Sequence, residues 1–360
     1  MITCDTIAAV SNSHEKGKAM ITPTKYHKSA ARLFTILAIA TILIGGAPAM
    51  AGTLQDIKSR GELICGVSEG LEGFSAPGSD KSWKGFDVDF CRAVAAAVFA
   101  DGTKVKYVPL TASERFDALT SGKIDLLSRN TTWTLARDVN AGFEFVAISY
   151  FDGQGFMTKL DNGLSSALQL DGEKICVLAG TTSVDNASSF FARSKLKVEL
   201  VKFDKREDAL NAYAKGDCIA YSADRSALAS QRTKLEKPEE HMLLPEVVSK
   251  EPLGPVIRQD DPLWSDLVRW TLFLLVNAEE AGWSSATADK MPETSSLAIP
   301  AEVTKEFGLE ENWANNVIRT VGNYGEIFER NLGQKTSLKL ERGINALWTQ
   351  GGILYAPPMR

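Results

Sequence analysis

The segment "LICGVSEG" at 63–70 has a counterpart in "KICVLAGTT" at 174–182. Each is a short apolar run with an Ile-Cys pair inside it, and each ends in glycine and small polar residues. A second pair follows. "ERFDALTSGKIDLLS" (114–128) and "REDALNAYAKGDCIAYS" (206–222) each read as a short amphipathic helix, a glycine stop (Gly122, Gly216) and a strand. Between the members of the first pair, "FDVDFCRAVAAAVFA" (86–100) puts Phe90, Val94 and Val98 on one helical face, and "VKYVPL" (105–110) reads as a strand. The later half answers with "NASSFFARS" as helix and "KVELVKF" (197–203) as strand. Strands alternating with helices imply parallel sheets covered by helices, so two echoing copies of about a hundred residues predict two α/β lobes.

The connections set how the lobes join. "SYFDGQGFMTK" (149–159) leaves the first copy through Gly153 and Gly155, and "LLPEVVSKEPLGPVIR" (243–258) leaves the second with strand character and prolines at its turns. The apolar helix that follows, "WSDLVRWTLFLLVNAEEAG" (264–282), needs a partner core and is expected to return to the first lobe. The predicted division is therefore 52–152 with 250–360 as lobe 1, including an extended C-terminal tail, and 153–249 as lobe 2. Two extended crossings between lobes make a hinge.

Residues 1–51 stand outside this pattern. Lys25, Lys28 and Arg32 precede the apolar stretch "LFTILAIATILIGG", and "APAMA" then offers small residues at cleavage spacing. This is a secretory signal with a predicted cut after Ala51, and Met20 is a candidate start. The apolar stretch is shorter than the roughly 20 residues a membrane span requires. No cysteine sits at the cut, so no lipid anchor is expected. Cleavage removes five basic and two acidic residues and takes the net charge from −5 to −8. An acidic, soluble, monomeric protein is expected, and a nucleic-acid partner is not.

Export also makes the cysteines informative. Cys65, Cys91, Cys176 and Cys218 remain after cleavage, and four cysteines in an oxidising compartment suggest two bridges with three possible connectivities. The echo places Cys65 and Cys91 in one copy and Cys176 and Cys218 in the other. Pairing within each copy would leave the lobes free to move. Of the histidines only His241 survives cleavage, so a triad or a metal site has little to work with.

In open α/β sheets ligands bind beyond the carboxyl ends of strands. Those ends are "VSEG" (67–70), "SRNTT" (128–132), "AGTT" (179–182) and "SAD" (222–224). "GVSEG" matches the nucleophile-elbow pattern, but it leads into a glycine- and proline-rich loop instead of a helix, so Ser68 reads as a cleft-edge residue. "GTT" can hold an anion on backbone N–H groups at a helix start, with Thr181 and Thr182 hydroxyls beside it, or simply cap the helix. In "SRNTTWTLARD" (128–138), Arg129 and Arg137 compete as a carboxylate clamp. Asp224, just past a strand end, wants a cation. Trp83, Trp133 and Phe74 read as packing residues that could also wall a cleft.

"GFDVDFCRAVAAAVF", "SRNTTWTLARD", "YFDGQGFM", "SKEPLGP", "WTLF", "VGNYGEIFERN" and "LYAPP" together resemble the periplasmic substrate-binding proteins of polar amino-acid ABC transporters. The likeness is greatest to the general L-amino-acid-binding subfamily, whose long tail the chain shares from about 284. The resemblance implies a two-lobed hinge-bending fold with the ligand cleft between lobes. It implies a free L-amino acid as ligand, membrane permease subunits as partners, and neither metal nor organic cofactor. By the same resemblance Arg137 is the clamp for the ligand α-carboxylate, helped by Asn130 and Thr132, with Thr181 and Thr182 on the other lobe and Asp224 on the α-ammonium. The position where relatives often stack an aromatic is Leu71, which fits a permissive pocket, and the often acidic position at Ser68 is neutral.

Overall fold

The computed structural model describes residues 52–360 apart from 141, 291–296 and 298, so the signal peptide expected at 1–51 lies outside the described residues. Two five-stranded sheets carry the echo. In the first, the order is Val105–Leu110, Leu63–Ser68, Leu126–Leu127, Val256–Arg258, Phe143–Phe145; in the second it is Glu199–Phe203, Lys174–Leu178, Ala220–Asp224, Gln154–Lys159, His241–Leu243. The first three strands of each are parallel, and the fourth runs antiparallel to its neighbours. Each copy of the repeat thus starts at the second position of its sheet and crosses over in the same sense, which brings its two strand ends, 67–70 with 128–132 and 179–182 with 222–224, to the same edge of its sheet.

The chain crosses between sheets twice. Tyr150–Asp152 and Glu251–Leu253 pair antiparallel, with Glu251 opposite Asp152, and form a two-stranded connector. The second crossing delivers Val256–Arg258 into the fourth position of the first sheet. The helix Pro262–Glu280 follows at once; proline at its first turn and Asp261 accepting from Trp264 N (3.1 Å) fix its start. Its buried side, including Trp264, Leu267, Val268 and Leu275, packs against Phe86–Phe99 and two later helices, Trp313–Val321 and Tyr324–Asn331. The tail also reaches the connector. Asn345 accepts from Phe151 N (2.7 Å) and donates to Phe151 O (2.9 Å), and Tyr324 OH donates to Ser149 O (2.8 Å). The extension therefore ties one crossing strand to the first lobe.

Cys65 bonds Cys91 and Cys176 bonds Cys218, so each bridge stays within one copy of the repeat. The closed loops span 26 and 42 residues. Loop-closure entropy then gives about 3.5 and about 4 kcal/mol of stabilisation. Denaturant unfolding of the Cys176→Ser, Cys218→Ser double variant is expected to show a loss of that order, with ligand affinity nearly unchanged. An unchanged midpoint would show that the bridge adds nothing.

Candidate functional site

The strand ends meet across a small cavity lined by Arg115, Arg129, Asn130, Thr132 and Arg137 from the first lobe and by Leu178, Thr181, Thr182, Ser183, Arg206, Ala223, Asp224 and Ala227 from the second. Its volume is about 30 Å³, room for about two water molecules. The lobes are closed on each other: Arg115 Nη2 donates to Gly180 O (3.2 Å), Lys234 Nζ donates to Gly70 O (2.6 Å), and the Thr132 and Thr182 hydroxyls are 3.4 Å apart. Gly180 has φ +69°, and a Cβ there would stand 3.0 Å from Ser113 Oγ on the facing lobe. The residue is thus glycine for its backbone and for the closeness of the other lobe.

Asn130 sits at φ +34° directly after the first sheet's third strand end, a conformation that asparagine tolerates better than most residues. Asp87 Oδ2 holds its N–H (3.1 Å), and its side-chain Oδ1 is buried without a partner at the cavity wall. Burial pushes the Asp87 carboxyl up to about 7, opposed by the Asn130 N–H and by Arg129. Arg137 projects from the short helix Leu135–Asn140; its Nη1 donates to Thr132 O (2.8 Å) and its guanidinium lies over the Phe116 ring. Burial lowers its pKa, while Glu251, Asp224 and Asp185 hold it up.

On the second lobe, the helix Ser183–Arg193 begins at the cavity. Thr182 occupies its N-cap position without capping it, because the hydroxyl donates instead to Glu251 Oε2 (2.9 Å), and Thr181 Oγ1 donates to Leu178 O (2.6 Å). The first-turn N–H groups are left to whatever enters the cleft. Asp224 ends the Ala220–Asp224 strand. It is 9% exposed and caps nothing, and its carboxylate makes no hydrogen bond or salt bridge. Burial first, then Asp152 and Glu251, push its pKa well above the ordinary carboxyl value, while Arg206 and Arg115 pull it back. A buried carboxylate in that position takes up a proton or a cation.

Six of the eight ligand residues expected from sequence (Arg137, Asn130, Thr132, Thr181, Thr182 and Asp224) therefore share one cavity. Ser68 and Leu71 lie off it. Leu71 and Ser75 exchange backbone hydrogen bonds in a tight turn (2.8 Å each way), which swings the Leu71 side chain fully into the core. Ser75 Oγ accepts from Ser68 N (2.9 Å), and the Ser68 hydroxyl is buried without a partner. Trp133 stacks on Phe145 at 5.6 Å, Trp83 lies against Tyr107, and Phe74 is core, so these aromatics pack and do not wall the cavity. Among the described residues no group of three or more His, Cys, Asp and Glu side chains could hold a metal ion.

Sequence reasoning missed Arg115, Arg206 and Glu251. Glu251 is 1% exposed and accepts from Thr132 Oγ1 (2.6 Å), Thr182 Oγ1 (2.9 Å), Asn186 Nδ2 (2.7 Å) and Ser249 Oγ (2.5 Å). Its position inside the "SKEPLGP" crossing was visible; the donors that converge on it were not.

The model for bacterial extracellular solute-binding proteins, family 3, matches residues 63–282. The general L-amino acid-binding periplasmic protein AapJ of Rhizobium johnstonii is 49% identical over 336 residues, covering 91% of this chain and 98% of that protein. The glutamate/glutamine/aspartate/asparagine-binding protein BztA of Rhodobacter capsulatus is 46% identical over 334 residues, covering 91% and 98%. A periplasmic binding protein from Brucella ovis, solved with glutathione bound, superposes with a TM-score of 0.83 at 48% identity and covers 86% of this chain and 100% of its own.

Proposed function

The chain belongs to the bacterial extracellular solute-binding proteins, family 3, and from that premise we propose that it is a periplasmic receptor which closes on a free L-amino acid and delivers it unchanged to the permease of an ABC transporter. The observation that carries this reading is Asp224: a buried carboxylate with no partner, facing Arg137 across a cavity between two lobes. Those two poles match the ammonium and the carboxylate of a zwitterion. Arg137 takes the α-carboxylate bidentately, with Asn130 and the first-turn N–H groups after Thr182 beside it. Thr132, Thr181 and Thr182 shape the wall, their hydroxyls being already spent within the protein. Ser68 and Leu71 stand behind the wall. The lobes proposed from sequence, 52–152 with 250–360 and 153–249, are the bodies that part to admit the ligand. Breadth of specificity follows from a wall that offers Leu178, Ala223 and Ala227 and no aromatic shelf. No step needs a cofactor, and the protein works as a monomer with its ligand and the permease as partners.

Calorimetry of the mature protein with a panel of L-amino acids and glutathione tests the reading. Micromolar or tighter binding to several amino acids is expected, with the ligand recovered chemically unchanged. Analogues lacking the α-ammonium or the α-carboxylate are expected to bind about a hundredfold more weakly. A desamino analogue that binds as well as its parent would remove the assignment of Asp224, and turnover of bound amino acid would replace the receptor with an enzyme.

A further inference from the structure

One zwitterion does not use up the charge in this cavity. Its wall holds four guanidinium groups, Arg115, Arg129, Arg137 and Arg206, against one carboxylate, Asp224. None of the four arginines makes a salt bridge. An amino acid engages Arg137 through its carboxylate and Asp224 through its ammonium, and three cations remain.

Arg129 is 2% exposed and spends only Nε, donating to Leu110 O (2.9 Å); both terminal nitrogens are without a partner. Arg115 is equally buried, and its Nε has no partner either. Arg206, at the start of the helix Arg206–Lys215, comes from the opposite lobe and lines both this cavity and an adjoining chamber of about 470 Å³. Arg206 is the charged group that most lowers the Arg129 pKa, which burial first brings down to about 9. Closing the cleft therefore presses like charges together. The acidic groups around them offset this only in part: Glu69 and Asp87 hold the Arg129 pKa up, but neither bonds the guanidinium. Asp87 is bound to Asn130 N, Glu251 to four donors, and Asp152 to Gly153 N and Ser226 N, while Glu69 sits at the chamber wall beside Arg129 and Asp185 acts on Arg137. An anion between Arg129 and Arg206 would turn that repulsion into attraction from both lobes at once.

We propose that Arg129 and Arg206, backed by Arg115, form a second anion subsite that takes a side-chain carboxylate of the ligand, so that acidic L-amino acids are the preferred class. The inference rests on the amino-acid-receptor reading above and adds to it the charge of the ligand's side chain.

The test is calorimetry of L-glutamate against L-glutamine, which differ by one charge at nearly the same shape, with L-alanine as a third ligand. The parent is expected to favour glutamate over glutamine by at least about tenfold. In Arg129→Gln and in Arg206→Gln the ratio is expected to collapse toward one. If Arg129→Gln does not fold, Arg206→Gln decides, since it alters a half-buried residue at a helix start. A ratio near one in the parent, or a ratio retained in both variants, overturns the subsite while alanine and glutamine binding leave the receptor reading standing. If no amino acid binds at all, both fall together.

Discussion

Asp224→Asn is expected to lower affinity for L-amino acids by about a hundredfold or more, and at the same time to raise the melting temperature of the ligand-free protein. The loss follows from removing one partner of a buried ion pair, which costs about 3–5 kcal/mol. The gain follows from the same burial. The carboxyl stands unpaired in the ligand-free cavity, with Asp152 and Glu251 adding repulsion. Asparagine keeps the shape and removes the charge, and each kcal/mol recovered raises Tm by about 2–4 °C. A variant that loses affinity without gaining stability would mean that Asp224 has an internal partner in the open state. One that binds as its parent does would end the assignment.

The pH dependence has a definite sign. Carboxyl groups whose folded pKa lies above the unfolded value, near 3.9, stabilise the ligand-free protein while protonated. That stability is full below about 4 and is lost as pH rises through the folded values, about 6 for Asp152 and about 7 for Asp87. Affinity runs the other way, since the ammonium needs Asp224 ionised. Melting curves with and without ligand should thus diverge as pH rises from 4 to 7, and Asp224→Asn should narrow the divergence.

The large plan was legible because it is written in local patterns. Alternating apolar runs and glycine stops recur in the same order, and a recurring pattern folds to a recurring sheet. Strand ends could be named, and with them Asn130, Thr181, Thr182 and Asp224; the preference for Arg137 over Arg129 came from the family resemblance. What escaped depended on the chain meeting itself far away. Three of the four donors to Glu251 lie 119, 69 and 65 residues from it in sequence, and no local signal marks such a convergence. Arg129 was visible as a rival to Arg137, but that both line the cavity was not. Leu71 was expected at the ligand by resemblance, as the position where relatives often stack an aromatic. The backbone exchange with Ser75 that turns it inward is a property of the loop's path.

Glu251→Ala is the second substitution with a large expected effect, and it acts without touching ligand. Glu251 stands on a crossing strand and accepts from Thr132 on the first lobe and from Thr182 and Asn186 on the second. Such a carboxylate is satisfied from both sides only when the cleft is shut. Alanine strands three cross-lobe donors in the closed state, whereas water can serve them when the lobes part. Unmet buried donors cost about 1–3 kcal/mol each. The cost falls on closure, and affinity for every amino acid should drop together by about a hundredfold, mostly through faster release. Glu251→Gln keeps one acceptor oxygen and should lose about tenfold. The charge gives a second readout. Glu251 helps to raise the Asp224 pKa, so in Glu251→Gln the acid fall-off of affinity should move to lower pH, opposite to any change from loosened packing. If Glu251→Ala lowers Tm but leaves dissociation rates and their pH profile alone, the residue braces the connector in both states and does not govern closure.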